Sequence, residues 1–174
     1  MKTLVDHLSQ YAEYHRDRRN IFSHFIGIPL IVVAVAVLLS RPGLAVAGLW
    51  ISPAALVALA SAVFYFRLDL RFGLVMTALL WLSLWAGAAL AVQSTPLWLS
   101  AGLGLFVVGW VIQFVGHYYE GRKPAFVDDL MGLVVGPLFV VAELGFMLGM
   151  RKEVEQAIEH RAGPTCIREK KATA

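Results

Sequence analysis

In a chain built mainly from aliphatic and aromatic residues, few side chains can carry a proton, a charge or a metal. Those within or beside apolar stretches are His15, Asn20, His24, Gln113, His117, Glu120, Asp128, Asp129 and Glu143. Ionisable and amide groups are costly in hydrocarbon, so each marks a candidate site. Gln113, His117 and Glu120 fall at i, i+4 and i+7, one face of one helix. Asn20 and His24 share a face by the same rule. His15 and His24 lie nine positions apart, about 180° around an ideal helix, so one straight helix cannot aim both at a point. The chain is therefore expected to turn around residues 17–20, with Asn20 capping the next helix. Three neutral imidazoles near a carboxylate suit a divalent transition metal, with zinc, ferrous iron, copper and nickel all acceptable. Glu143 is expected either to accept a proton from a ligand imidazole or to pair with an arginine such as Arg122. Asp128 and Asp129 read as helix caps, and His7 and His160 as solvated.

The elements that must position these residues follow from composition. The 174 residues are 59% hydrophobic and 16% charged, against about 45–50% and about 25% in a soluble domain. That excludes a disordered chain, a coiled coil and an ordinary water-soluble enzyme. Five stretches, 21–39, 44–66, 72–92, 97–116 and 130–150, are nearly free of charge, Glu143 being their only charged residue. Each approaches the ~20 residues that a helix needs to cross ~30 Å of hydrocarbon. The expected fold is all-α, a multipass membrane bundle over residues 1–150 with a basic cytoplasmic tail, 151–174. Four stretches are expected to span. The fifth, with Gly132, Gly136 and Pro137, is expected to cross or to break into a re-entrant pair. Gly132 with Gly136, and Gly145 with Gly149, have the spacing of close helix packing. Trp81 and Trp85, mid-stretch at i and i+4, read as core. Leu4, Leu8, Tyr11 and His15 form one stripe, so the start reads as an interfacial helix or a cover on the bundle mouth, and not as a cleavable signal.

Charge sets the expected topology. If the first four stretches cross and the fifth returns, the two sides carry 14 and 1 Lys or Arg; if all five cross, 8 and 7. The positive-inside rule favours the first arrangement, with both termini cytoplasmic. Four crossings bring the end of the fourth stretch back to the side where the first began, so the histidines and carboxylates gather at one face. The pI near 9.2 does not call for nucleic acid, because basic residues that flank apolar stretches answer to lipid headgroups and topology.

The blocks YHRDRRNIFSHFIGIP (14–29), WVIQFVGHYYEGRKPAFVDDL (110–130) and GPLFVVAEL (136–144) together resemble a 2-hydroxy-fatty-acid dioxygenase family. The resemblance implies a ferrous-iron enzyme that uses O2 to shorten a 2-hydroxy fatty acid by one carbon, releasing CO2 and water. It implies His15, His24 and His117 as iron ligands, Glu120 or Glu143 as a fourth ligand or a supporting group, and Asn20 and Gln113 as polar partners. The membrane would be the inner membrane of a bacterium or the endoplasmic reticulum of a eukaryote. Two other classes fit parts of the pattern: a haem-binding electron carrier using paired histidines, and a small proton-coupled transporter using Glu143 beside a break at Gly136-Pro137.

Overall fold

The computed structural model describes residues 2–169. Among them are seven α-helices: α1 (Leu4–Ala12), α2 (Arg18–Ser40), α3 (Pro53–Leu68), α4 (Leu70–Ala91), α5 (Thr95–Glu120), α6 (Gly132–Met147) and α7 (Lys152–Ala162). A hairpin of β1 (Leu44–Val46) and β2 (Leu49–Ile51) lies between α2 and α3. The chain divides into two compact units, one holding residues up to Ile28 and from Val111 onward, the other Pro29–Trp110. Helices α2, α4 and α5 are long and apolar enough to cross a membrane; α6 with α7, bent by 115°, would make a fourth span.

In the Pro29–Trp110 unit, the stretch 44–66 is not one span, which corrects the sequence expectation. Pro53 takes the first helical position of α3 and Ser52 Oγ accepts the Ala55 N–H, so the helix starts there. Before it, Ala47 (φ 49°) and Gly48 (φ 81°) turn the chain so that Leu44 pairs with Ile51. The resulting α3 has 16 residues, about 24 Å at 1.5 Å each. Asp69 alone separates α3 from α4: its N–H closes α3 on the Tyr65 carbonyl, and its carboxylate caps α4 through the Phe72 N–H. Helix α4 meets α2 at Gly87, where a Cβ would strike the Ala36 carbonyl and Ser40 Oγ. Trp98 Nε1, on α5, donates to the Val37 carbonyl at 2.8 Å. Trp81 and Trp85 are 64% and 66% exposed, so the core reading of this pair is corrected. In a lipid solvent an apolar side chain need not face protein, so hydrophobicity alone does not say inside.

In the other unit, a capping box between Thr3 and Asp6 starts α1. Its stripe of Leu4, Leu8 and Tyr11 is buried, and α1 packs on α6 and α7. The N-terminal helix thus covers protein with its apolar face. Asp17 Oδ1 accepts the Arg19 N–H at the start of α2. Asp17 therefore takes the capping place expected for Asn20, which sits inside the first turn. Helix α6 runs unbroken through Pro137; the bend comes after Met147, where Gly149 (φ 78°) and Arg151 (φ 53°) turn the chain into α7. The expected break at Gly136-Pro137 is corrected accordingly. Gly136 lets α6 close on α1, since a Cβ there would stand 2.9 Å from Tyr11 Oη.

Candidate metal centre

Three backbone segments deliver the polar residues to one place. The first two turns of α2 carry Asn20 and His24, the last turns of α5 carry Gln113, His117 and Glu120, and the link from α1 to α2 carries His15. Close approach of α2 and α5 depends on Gly116, where a Cβ would collide with Ser23 Oγ and Asn20 Oδ1. His15, His24 and His117 are 0%, 2% and 6% exposed, and one ring nitrogen of each lies within 4.8 Å of the others.

Hydrogen bonds fix two tautomers. His15 Nδ1 lies 2.7 Å from the Tyr11 carbonyl, and His24 Nδ1 lies 2.8 Å from the Asn20 carbonyl. A carbonyl only accepts, so each Nδ1 carries the proton and each neutral ring presents an Nε2 lone pair. Those two Nε2 atoms stand 2.9 Å apart. Burial, with His24 and His117 beside it, holds the His15 pKa well below the usual imidazole range, so this ring is neutral. Two lone pairs facing each other repel, and a shared cation turns the repulsion into ligation. Metal–nitrogen bonds of about 2.0–2.1 Å set ligand nitrogens roughly 3–4 Å apart, close to the spacing seen here. The donor set therefore fits a divalent transition metal. Asn20 Oδ1, Gln113 Nε2 and His117 Nδ1 are also buried without a hydrogen bond of normal geometry, which concentrates unmet polar groups around the same point.

The surroundings lock the ligands. Tyr11 stacks on His15 with ring centroids 4.1 Å apart and planes 3° apart, and Phe139 of α6 tilts against it at 5.5 Å. Glu120 is fully buried and faces the α1–α2 link. It accepts from the N–H groups of Arg16 (3.1 Å) and Asp17 (2.8 Å), from Asn20 Nδ2 (3.1 Å), and from Arg168 Nη2 (2.9 Å). Glu143 pairs with Arg16 at 3.0 Å, which corrects the expected partner Arg122. Arg122 donates instead to the Glu13 carbonyl. Asp128 lies at the surface with Lys123 and Tyr14, and Asp129 accepts the Met131 N–H; neither joins the imidazole group. His160 is exposed and His7 half-buried.

Sequence reasoning missed Arg16, Asp17, Tyr11 and Arg168. Arg16 is buried and also donates to the carbonyls of Ala12, His15 and Gly163. The run HRDRRN is the signal that was available: a buried turn needs its charges paired, whereas topology counting treats every such charge as a flank. A cleft of about 260 Å³ opens beside Arg16 and Glu143, walled on one side by Ile21, Phe25 and Phe146 and on the other by Lys152, Glu155 and Glu159 of α7.

Residues 1–148 match the family described as Mpo1-like, 2-hydroxy-palmitic acid dioxygenase Mpo1-like. The 2-hydroxy-palmitic acid dioxygenase MPO1 of Saccharomyces cerevisiae is 34% identical over 159 residues, which cover 90% of this chain and 88% of its own. No solved structure matches the chain. The family match runs through all three blocks that carry the buried imidazoles and their carboxylate clamps, and the chain belongs to the Mpo1-like family.

Proposed function

We propose that this chain is a membrane-embedded, iron(II)-dependent dioxygenase that converts a 2-hydroxy fatty acid to the acid one carbon shorter. The observation that carries the reading is the pair of Nε2 lone pairs 2.9 Å apart, beside a third buried imidazole. The name of the yeast relative supplies the substrate class. The reaction balances as one hydroxy acid and one O2 giving one shorter acid, one CO2 and one water, so no external reductant enters. When bound, ferrous iron supplies the one-electron chemistry through which O2 reacts with a closed-shell hydroxy acid. His15, His24 and His117 hold it, and the main-chain carbonyls of Tyr11 and Asn20 orient two of the rings.

The other side chains have positioning roles. Glu120 gathers the turn that carries His15 against the end of α5, and Arg16 with Glu143 ties the same turn to α6. Gln113 keeps an Nε2–H that is free to donate to a substrate oxygen, one turn from His117. The neighbouring cleft has mixed walls: Ile21, Phe25 and Phe146 suit an acyl chain, and Arg16, Arg18 and Lys152 suit a carboxylate. Helices α2, α4 and α5 have the length and apolarity of spans; with the shorter α3 crossing as well, both termini lie on one side, and the positive-inside rule makes that side cytoplasmic. A haem carrier fits less well, because bis-imidazole ligation puts the rings on opposite faces of a macrocycle. Here the His15 and His24 centroids are 4.4 Å apart, edge to face.

The test is purified protein with 2-hydroxypalmitate, O2 and ferrous iron. CO2 and pentadecanoate are expected in equal amounts, and His117→Ala is expected to lower the rate by at least about 100-fold. Absence of both products from the iron-loaded wild type would reject the assignment.

A further inference from the structure

Beyond α7 the chain has little of its own to fold around. Gly163 (φ 83°) ends the helix and Pro164 keeps the backbone from continuing it. Residues 165–168 then run along the turn that carries His15. Cys166 N–H donates to the Arg16 carbonyl and the Arg18 N–H donates to the Cys166 carbonyl, both at 2.9 Å, as in one step of a parallel ladder. Arg16 Nη1 reaches the Gly163 carbonyl at 3.0 Å. The Arg168 N–H donates to Asp17 Oδ2 at 2.8 Å, and Arg19 Nη2 donates to the Arg168 carbonyl at 2.8 Å. Arg168 Nη2 then reaches the buried Glu120 carboxylate at 2.9 Å.

These contacts are concentrated on one object. Residues 16–18 come directly after His15, so fixing their backbone fixes where its ring points. Glu120 is the group that holds the same backbone from the α5 side, through the Arg16 and Asp17 N–H groups. A carboxylate that is fully buried needs a compensating positive charge. Arg168 supplies it from 48 residues further along the chain, and it lies outside the residues 1–148 that match the family.

We propose that residues 163–168 form a strap that sets the geometry of the metal centre, with Arg168 as a positioning residue acting through Glu120. The proposal rests on His15, His24 and His117 being the metal ligands. It makes the tail part of the centre's support, in addition to any role of its charges in topology.

The test titrates cobalt(II) into metal-free, full-length protein in detergent, because cobalt d–d bands report how many nitrogens bind and in what geometry. Wild type is expected to take up one equivalent. Arg168→Ala is expected to bind about tenfold more weakly, in line with loss of a group that supports a ligand, and with altered band intensities at unchanged helix content. Arg168→Lys, which keeps a donor and a charge for Glu120, is expected to recover part of both. Arg161→Ala, which removes an exposed pair between α7 and Asp6, is expected to leave cobalt binding unchanged. Wild-type affinity and spectrum in Arg168→Ala would overturn the strap while leaving the ligand assignment intact. No cobalt uptake by wild type would overturn the ligand assignment, and the strap with it. If Arg168→Ala loses helix content, Arg168→Gln takes its place, and wild-type binding there overturns the proposal as well.

Discussion

His15 and His24 face each other through Nε2 because each has committed its Nδ1 proton to a carbonyl one helical turn back, Tyr11 and Asn20 respectively. The gathering of the three histidines was legible from spacing and from the required turn; Glu120, on the same face of α5 as His117, instead turns its carboxylate to the α1–α2 link and stands outside the imidazole group. The pairing of the carboxylates was not legible. Arg16 lies 127 positions from Glu143 and 104 from Glu120, and no local periodicity encodes which distant charge a buried turn will meet. Glu120 makes a sharp prediction at this scale. Glu120→Ala leaves two buried N–H groups and an amide unmet, so it should cost about 3 kcal/mol or more, read as a lowered melting temperature of the metal-free protein. Glu120→Gln keeps the volume but cannot accept through its amide nitrogen, so it should fall between Ala and wild type.

The elements around the site are locally well specified. Helix α1 has a capping box and a buried stripe, and the stripe was readable at its 3.6 period. What it would cover was not, because both lipid and protein accept an apolar face. Gly136 decides the matter for α6, whose backbone comes within reach of Tyr11 Oη. Gly136→Ala should push against the ring that stacks on His15, cost about 1–3 kcal/mol, and weaken metal binding, measured in parallel by thermal melting and metal titration. Asp6 joins α1 to α7 through Arg161. Its pKa is held below the usual 3.8 first by the Thr3 N–H and then by Arg161. The unfolded chain therefore binds the proton first, so the stabilising effect is complete above about pH 4 and fades as the pH falls below it. Asp6→Asn should flatten that part of an acid-stability profile. The hairpin at β1 and β2 was illegible for a different reason: eight uncharged residues look like half a span until the helix start at Ser52-Pro53 is weighed.

At the scale of the whole molecule, the composition announced lipid as the solvent, and α2, α4 and α5 have the length and apolarity for it. Orientation is testable with the chain's own chemistry, since Cys166 is its single cysteine and is exposed. A membrane-impermeant maleimide should leave Cys166 unlabelled in intact cells and label it after permeabilisation; labelling in intact cells would reverse the proposed topology. The proposed function stands on one ferrous ion held by three imidazoles, from the α1–α2 link, α2 and the far end of α5. Iron content of protein purified without oxygen tests it most directly. One iron(II) per chain with no haem absorption is expected, with loss of that iron in His24→Ala. Wild-type protein that holds no iron, or that holds it as haem, would contradict it.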